Sequence, residues 1–304
     1  MARRILVTGG AGYIGSHAVL ALLEAGHQVL TVDNLSNGHR DAVLGGEFTE
    51  VDLLDVAALD HAFGSFRPDA VLHFAGAIEV GESMRDPLKY FRINVGGSLN
   101  LLAAMRRHGT EAIVFSSTAA VFGTPVRVPI EEADAKAPIN PYGESKLMVE
   151  RVLGELARAH GLKACALRYL NAAGADPSGR LAERHEPESH LIPLVLRTAA
   201  GSRLEIAIFG TDYDTPDGTC LRDYVHVSDL IEAHLLALDA LFAGRSRPAY
   251  NLGNGEGYSV RQVIETARRV TGWAIPAREA ARRPGDPARE AAAPTRHLQA
   301  PDNR

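Results

Sequence analysis

The stretch Ile5-Leu6-Val7-Thr8-Gly9-Gly10-Ala11-Gly12-Tyr13-Ile14-Gly15 constrains this chain more than any other. Its apolar start, Ile5 to Val7, predicts a short strand buried on both faces. Gly9, Gly12 and Gly15 follow at intervals of three. Beyond them Ile14, Ala18, Leu22 and Leu23 recur at helical spacing as far as Gly26. The glycines therefore occupy a turn that leaves a buried strand and opens a helix. The unpaired N–H groups and positive dipole end of such a helix suit an anion. Glycines let the backbone approach a pyrophosphate that side chains would hold away. The next apolar run, Val29 to Val32, ends in Asp33, close to the ~20-residue interval at which an acid meets a ribose. A carboxylate there accepts ribose hydroxyls and repels a 2′-phosphate, so the expected cofactor is NAD rather than NADP.

The alternation continues. Strands are predicted at Phe48 to Asp52, Ala70 to Gly76, Ala112 to Phe115 with Ser116-Ser117-Thr118 at its tip, and Leu162 to Tyr169. Helices are predicted at Val56 to Phe66, at Pro87 to His108 with Leu99, Leu102 and Ala103 on one face, and at Tyr142 to His160. This is an α/β pattern, a Rossmann-type doubly wound parallel sheet. Residues 1–171 are read as the dinucleotide-binding domain, with segments near 222–251 as candidates to join it and Tyr250 as a candidate last strand. After Asn171 the texture changes to Gly, Pro and charge. Residues 172–304 read mainly as a smaller substrate-binding domain with an atypical, shortened C-terminus. Its expected elements are 190–200, 204–208, 228–242 and 259–271. The Ala/Arg/Pro-rich tail from Ala277 has little periodicity and is expected to be loosely ordered.

Composition excludes several classes. A formal charge of −5 with no basic stripe argues against nucleic acid. No apolar run nears the ~18 residues of a membrane span. The first strand begins at once, leaving no room for a signal peptide. The only two cysteines, Cys165 and Cys220, are far apart and fit buried thiols in a reducing compartment, so the cytoplasm is the expected location. The twelve histidines show no metal-site spacing, and no metal is expected.

Chemistry enters with Tyr142 and Lys146, four apart and so on one helix face. A free phenol, with a pKa near 10, is too weak a base at neutral pH. An ammonium beside it favours the phenolate. Such a phenolate can take a hydroxyl proton while hydride leaves the same carbon for nicotinamide. Thr118, at a strand tip, can bond the same substrate oxygen.

These motifs together resemble the extended short-chain dehydrogenase/reductases, and within them the UDP-glucose 4-epimerases of the NAD-dependent epimerase/dehydratase family. The resemblance rests on Thr8 to His17, Asp33-Asn34-Leu35, His73 to Gly76, Val80 to Ser83, Ser116 to Thr118, Tyr142-Gly143-Glu144-Ser145-Lys146, Arg168 to Asn171 and Leu221 to Val227. It runs from the N-terminus to about Asp286. It implies NAD reduced and reoxidised within each turnover, and interconversion of UDP-galactose and UDP-glucose through a 4-keto sugar. Tyr142, Lys146 and Thr118 are the implied catalytic residues. Around NAD it implies Gly9, Gly12, Tyr13, Ile14, Gly15, Asp33, Asn34, Ser36, Asn37, Gly38, Asp52, Leu53, Phe74, Ala75, Gly76, Asn94, Ser116 and Tyr169. Toward the UDP-sugar it implies Asn171, His190, Leu191, Phe209, Arg222, Tyr224, Arg283 and Asp286. Two arginines suit a diphosphate, since each offers a rigid fork of donors. A homodimer is typical of the family.

The chain departs from the family in places. Ile78-Glu79 stands where some members carry a lysine, His190 where many carry asparagine, and the tail after Arg282-Arg283-Pro284-Gly285-Asp286 differs. A 4,6-dehydratase needs an acid just after Thr118, where Ala119-Ala120 stands, and is set aside. Epimerases of UDP-N-acetylhexosamines or UDP-pentoses stay open, with the size-gating position near Glu290. So does a non-catalytic NAD-binding regulator.

Overall fold

The computed structural model describes residues 1–245, 247–255, 257–283 and 288–290. Strands β1 (Arg4–Thr8), β2 (Gln28–Asp33), β3 (Glu47–Glu50), β4 (Ala70–His73), β5 (Ala112–Thr118) and β6 (Lys163–Tyr169) alternate with helices α1 (Tyr13–Glu24), α2 (Val56–Phe66), α3 (Val80–Arg85), α4 (Pro87–Tyr90), α5 (Gly97–His108) and α6 (Pro141–His160). Later come β7 (Asn171–Ala173), α7 (Leu191–Ala199), β8 (Ile206–Phe209), β9 (Leu221–Arg222), β10 (Tyr224–His226), α8 (Val227–Phe242), β11 (Ala249–Asn251), β12 (Tyr258–Ser259), α9 (Val260–Thr271), β13 (Ala277–Ala280) and β14 (Arg289–Glu290).

The main sheet runs β11-β6-β5-β4-β1-β2-β3, with every neighbouring pair parallel. It is the doubly wound Rossmann-type sheet that the strand–helix alternation predicts. Alternate strand residues feed opposite faces. Ile5, Val7, Leu72, Val114 and Leu167 pack with α1 and α8, whereas Leu6, Val71, Ile113, Phe115 and Ala166 pack with α2, α5 and α6. Ile5, Leu6 and Val7 are fully buried, as a doubly covered central strand demands. Tyr250 joins the sheet through β11, which pairs with β6. A separate apolar cluster of Val195, Ile206, Ile208, Ile264 and Ile275 joins α7, β8 and α9. Among the described residues no helix is long and apolar enough to cross a membrane.

Four expectations need correction. The helix from Pro87 to His108 is interrupted by a wide π turn at Phe91–Gly96, and α3 precedes it. The inward face of α5 is Gly97, Ser98, Leu101, Leu102, Ala104 and Met105; Leu99 and Ala103 point outward. The reason is close approach. A Cβ on Gly97 would lie 3.1 Å from the Leu53 Cβ, and Ser98 bonds buried His73, so small residues that hydropathy sends outward are the ones that fit inside. Strands 3 and 4 stop at Glu50 and His73, which frees Asp52 and Phe74 to Gly76 for turns, and β5 continues through Thr118. The tail is not loose from Ala277 onward: Ala277–Ala280 pair with β8 and Arg289–Glu290 with β9. Backbone pairing and the ion pairs Arg278–Glu205 and Arg261–Glu279 hold the largely exposed Ala277–Ala280, which leaves no hydropathy pattern to read.

Candidate active site

The Gly-rich turn sits between β1 and α1 as its sequence predicts. Gly9 has a φ of +71°, and a Cβ there would meet the Ala75 backbone nitrogen at 2.6 Å. Gly12 is the residue before α1, and no side chain caps the helix. Its first turn, with Tyr13, Ile14 and Gly15, also carries no acid, so its N–H groups and dipole are not neutralised by the protein's own carboxylates.

Asp33, buried at the end of β2, accepts from Ala11 N at 2.9 Å and from Leu35 N at 2.8 Å. Each carboxylate oxygen keeps a further lone pair for a hydroxyl. A Cβ on Gly38 would stand 3.0 Å from the Asp33 Oδ1, which accounts for glycine there. Exposed Asn34 donates to Asp52 at 3.0 Å and accepts from Ser36 N. Asn37 beside them is exposed, and Leu53 packs under Gly97.

At the tips of β4 and β5 the remaining residues converge. Asn94, in the π turn, accepts from Ala77 N at 2.8 Å and donates to Ser145 Oγ at 2.9 Å. Ser145 in turn donates to the Tyr142 carbonyl at 2.7 Å. The turn after Phe74-Ala75-Gly76 is thereby tied to the start of α6. A Cβ on Gly76 would lie 3.6 Å from Lys146 Nζ. That ammonium, wholly buried, donates to the Ser116 carbonyl at 3.0 Å and lies 5.0 Å from the Phe115 ring centre. Ser116 Oγ and the Tyr169 hydroxyl share a short hydrogen bond.

Helix α6 places the pair. Asn140 accepts from Gly143 N at 2.8 Å as its N-cap, and Pro141 fills the first turn. Tyr142 and Lys146 then fall one turn apart. The Thr118 hydroxyl, which accepts from Ala120 N at 3.1 Å, stands at the tip of β5 facing the start of α6. Burial pushes the Tyr142 phenol up, and the Thr118 hydroxyl opposes the rise. Burial pulls Lys146 down to about 8. Burial is the larger influence on Tyr142 and works against the lowering expected from Lys146, while Thr118 opposes it.

The second half supplies a neighbouring surface. Asn171 donates to the Asp223 carbonyl at 3.1 Å, and β7 pairs with β10, which begins at Tyr224. Burial pushes the Tyr224 phenol up to about 12. Arg222 donates to the Leu221 carbonyl at 2.8 Å. Arg283 lies over the Phe209 ring, 4.1 Å from its centre. His190 opens α7 with its Nδ1 on Glu183 and Glu188, and Leu191 packs into the α7–β8–α9 cluster. Asp286 lies outside the described residues.

Residues 5–253 match the NAD dependent epimerase/dehydratase family. The chain belongs to this family. A UDP-glucose 4-epimerase of Halalkalibacterium halodurans is 53% identical over 284 residues, 93% of this chain and 85% of that protein. The crystal structure of UDP-glucose 4-epimerase from Brucella ovis in complex with NAD superposes with a TM-score of 0.93 at 48% identity, covering 96% of this chain and 90% of that one. A UDP-glucose 4-epimerase from Bifidobacterium longum in complex with NAD+ and UDP gives 0.90 at 38% identity, with the same shares covered.

The turn fits the NAD on which this epimerase/dehydratase family depends. Its helix is uncapped, Cβ atoms at Gly9 and Gly15 would fill the cradle, and Asp33 is fixed beside it. Sequence reasoning missed the scaffolding groups. His73, fully buried, bridges Thr8 at 2.7 Å and Ser98 at 2.8 Å, and burial lowers its pKa to about 3, so it is a neutral strut. Ser117 and Arg168 both bond buried Glu150 of α6. Both lay within motifs already picked out; burial of Glu150 on an otherwise amphipathic helix had no local signal.

Proposed function

We infer that this chain is a UDP-glucose 4-epimerase, an isomerase that interconverts UDP-galactose and UDP-glucose with NAD as its cofactor. The observation that carries the reading is the anchoring of Tyr142 and buried Lys146 at the strand tips that also hold the dinucleotide turn, through Lys146 to the Ser116 carbonyl and through Asn94 and Ser145 to the Tyr142 carbonyl. NAD, held by the Gly9–Gly15 turn and Asp33, would supply the acceptor and donor for the C4 hydride. Tyr142 takes the C4 hydroxyl proton and gives it back when the hydride returns, so atoms and charge balance over the cycle. Thr118 holds the sugar oxygen and stabilises the phenolate. Lys146, when protonated, favours that phenolate by its charge. Burial of Lys146 strengthens its effect, because little water screens it.

Arg222 and Arg283 suit the diphosphate as fork donors, with Asn171, Tyr224, Phe209, His190 and Leu191 around the nucleoside. Residues 1–171 together with 222–251 form the NAD unit in this reading, and the rest is mainly the substrate unit. The packing of α8 and β11 on the main sheet supports that division. The family resemblance supports a homodimer acting in the cytoplasm.

A coupled assay with UDP-galactose and no added cofactor tests the reading. Formation of UDP-glucose is expected. No conversion of UDP-galactose or UDP-N-acetylgalactosamine, even with NAD added, would overturn it.

A further inference from the structure

Residues 174–190 cross over the dinucleotide turn as a strap. The Tyr13 hydroxyl donates to the Gly174 carbonyl at 2.7 Å. Arg180 meets Glu24 at 2.9 Å, and Arg184 holds Asp41 through two bonds of 2.6 and 3.0 Å. His39 Nε2 donates to the Arg184 carbonyl at 3.1 Å, and Ser189 donates to Glu79 at 2.9 Å.

Within this strap stands Glu183-x-His185-x-x-Glu188-x-His190. A bend at residues 186 and 187 separates Glu183 and His185 from Glu188 and His190. One ligand atom from each of the four lies within 4.8 Å of all the others. The closest approaches are His190 Nδ1 to Glu183 Oε1 at 2.8 Å, His185 Nδ1 to the same oxygen at 3.1 Å, and His190 Nδ1 to Glu188 Oε1 at 3.1 Å.

A separate observation points to a ligand. The Glu188 side chain is only 1% exposed, and its Oε2 is buried with no hydrogen-bond partner among the described residues. Its Oε1 is already satisfied by the N–H groups of Ser189 and His190. A carboxylate oxygen is seldom buried without a donor or a cation.

We propose that Glu183, His185, Glu188 and His190 bind one divalent transition-metal ion, with zinc the best match, and that this ion clamps the strap over the dinucleotide turn. Two imidazoles disfavour calcium and magnesium, which take oxygen ligands. Two carboxylates and two imidazoles are a neutral set once a dication is bound. Zinc bonds of about 2.0–2.2 Å in a tetrahedron require ligand atoms roughly 3.3 Å apart. The three short approaches need to open by only a few tenths of an ångström, and the wider ones to close by more. The four ligands lie in irregular chain on either side of the bend rather than along a helix face, so no metal-site spacing was visible.

The test uses the untagged full chain, stripped with EDTA and titrated with zinc chloride by calorimetry, with cobalt(II) as a spectroscopic probe. One ion per chain is expected, with the visible bands of a four-coordinate cobalt site and a zinc-dependent rise in Tm. His185→Gln should weaken zinc binding by at least about 100-fold, since even groups that merely support ligands are worth 10–100-fold. Should that variant fail to fold, Glu188→Gln is measured instead. Absence of stoichiometric binding to the wild type would overturn the proposal and leave the cluster as an ion-pair network. Unchanged affinity in the folded variant would overturn it too, by placing the metal elsewhere. None of these readouts depends on epimerase turnover, so the proposal and the functional reading fail separately.

Discussion

A Cβ placed on Gly15 would stand 2.1 Å from the carbonyl oxygen of Gly9, and 2.9 Å from the Gly10 Cα. Both neighbours are backbone and cannot swing aside, so the turn and the first helical residues must separate to admit even alanine. Overpacking of this kind destabilises by about 1–3 kcal/mol. Gly15→Ala is expected to fall at the upper end and to lose copurified NAD, read from denaturant midpoints and from nucleotide released on heating. Gly154 gives the contrast. It lies inside α6 with nothing within 4 Å of its added Cβ. Gly154→Ala should stabilise by about 0.5–1 kcal/mol through helix propensity.

The opposing influences of burial and Thr118 on the Tyr142 phenol set a second expectation. Tyr142→Phe removes the proton acceptor and keeps the ring, so kcat should fall by about 10²–10⁴ with NAD still bound. Thr118→Ala leaves the phenol but removes the hydroxyl that opposes its upward shift. It should lower kcat less, and move the alkaline requirement for activity upward. Wild-type turnover in Tyr142→Phe would remove that residue from the chemistry.

How much of this was legible can be argued from particular residues. The Gly9–Gly15 turn, Asp33 and the Tyr142/Lys146 spacing were readable because each has a local cause: backbone clearance, a strand tip, a helical period. The sheet followed, since apolar runs in a doubly covered sheet are continuous. The buried face of α5 was misread because Gly97 and Ser98 are inside for lack of room rather than for hydrophobicity. The β13 and β14 pairings were invisible because exposed edge residues carry backbone bonds and no pattern. The spacing of Tyr142 and Lys146 gives their proximity but not the depth at which Lys146 is buried, which no local pattern carries.

Lys146 yields a prediction of known sign. Burial holds its folded-state pKa at about 8, against 10.5 for an ordinary lysine. Between those values the unfolded chain carries more protons than the folded one, so this residue makes stability rise with pH from about 8 to 10.5. Below about pH 8 the buried ammonium is a burden on the order of 3 kcal/mol at most. Lys146→Met should therefore be more stable than wild type at pH 7, by an amount that shrinks as pH rises toward 10, while turnover falls at every pH. Urea midpoints of both proteins across that range decide it; a difference that does not vary with pH would contradict the assignment.

The pair Arg168–Glu150 gives the last. Arg168 donates to both Glu150 oxygens at 2.8 and 2.5 Å, and Ser117 adds a bond of 2.6 Å. The two side chains are only 5% and 8% exposed. The bond ties β6, which leads to Asn171, to the helix that carries Tyr142 and Lys146. Desolvation offsets much of the attraction in such a pair, so its net worth is small, whereas one partner left alone is a buried charge. Arg168→Met should destabilise by about 3–5 kcal/mol, because Ser117 supplies one donor where three are needed. Arg168→Met combined with Glu150→Leu should recover most of that loss, since both charges are gone and Phe122, 5.2 Å from the guanidinium, offers an apolar neighbour. A double variant as unstable as the sum of the two single ones would mean that the residues act independently, against the geometry.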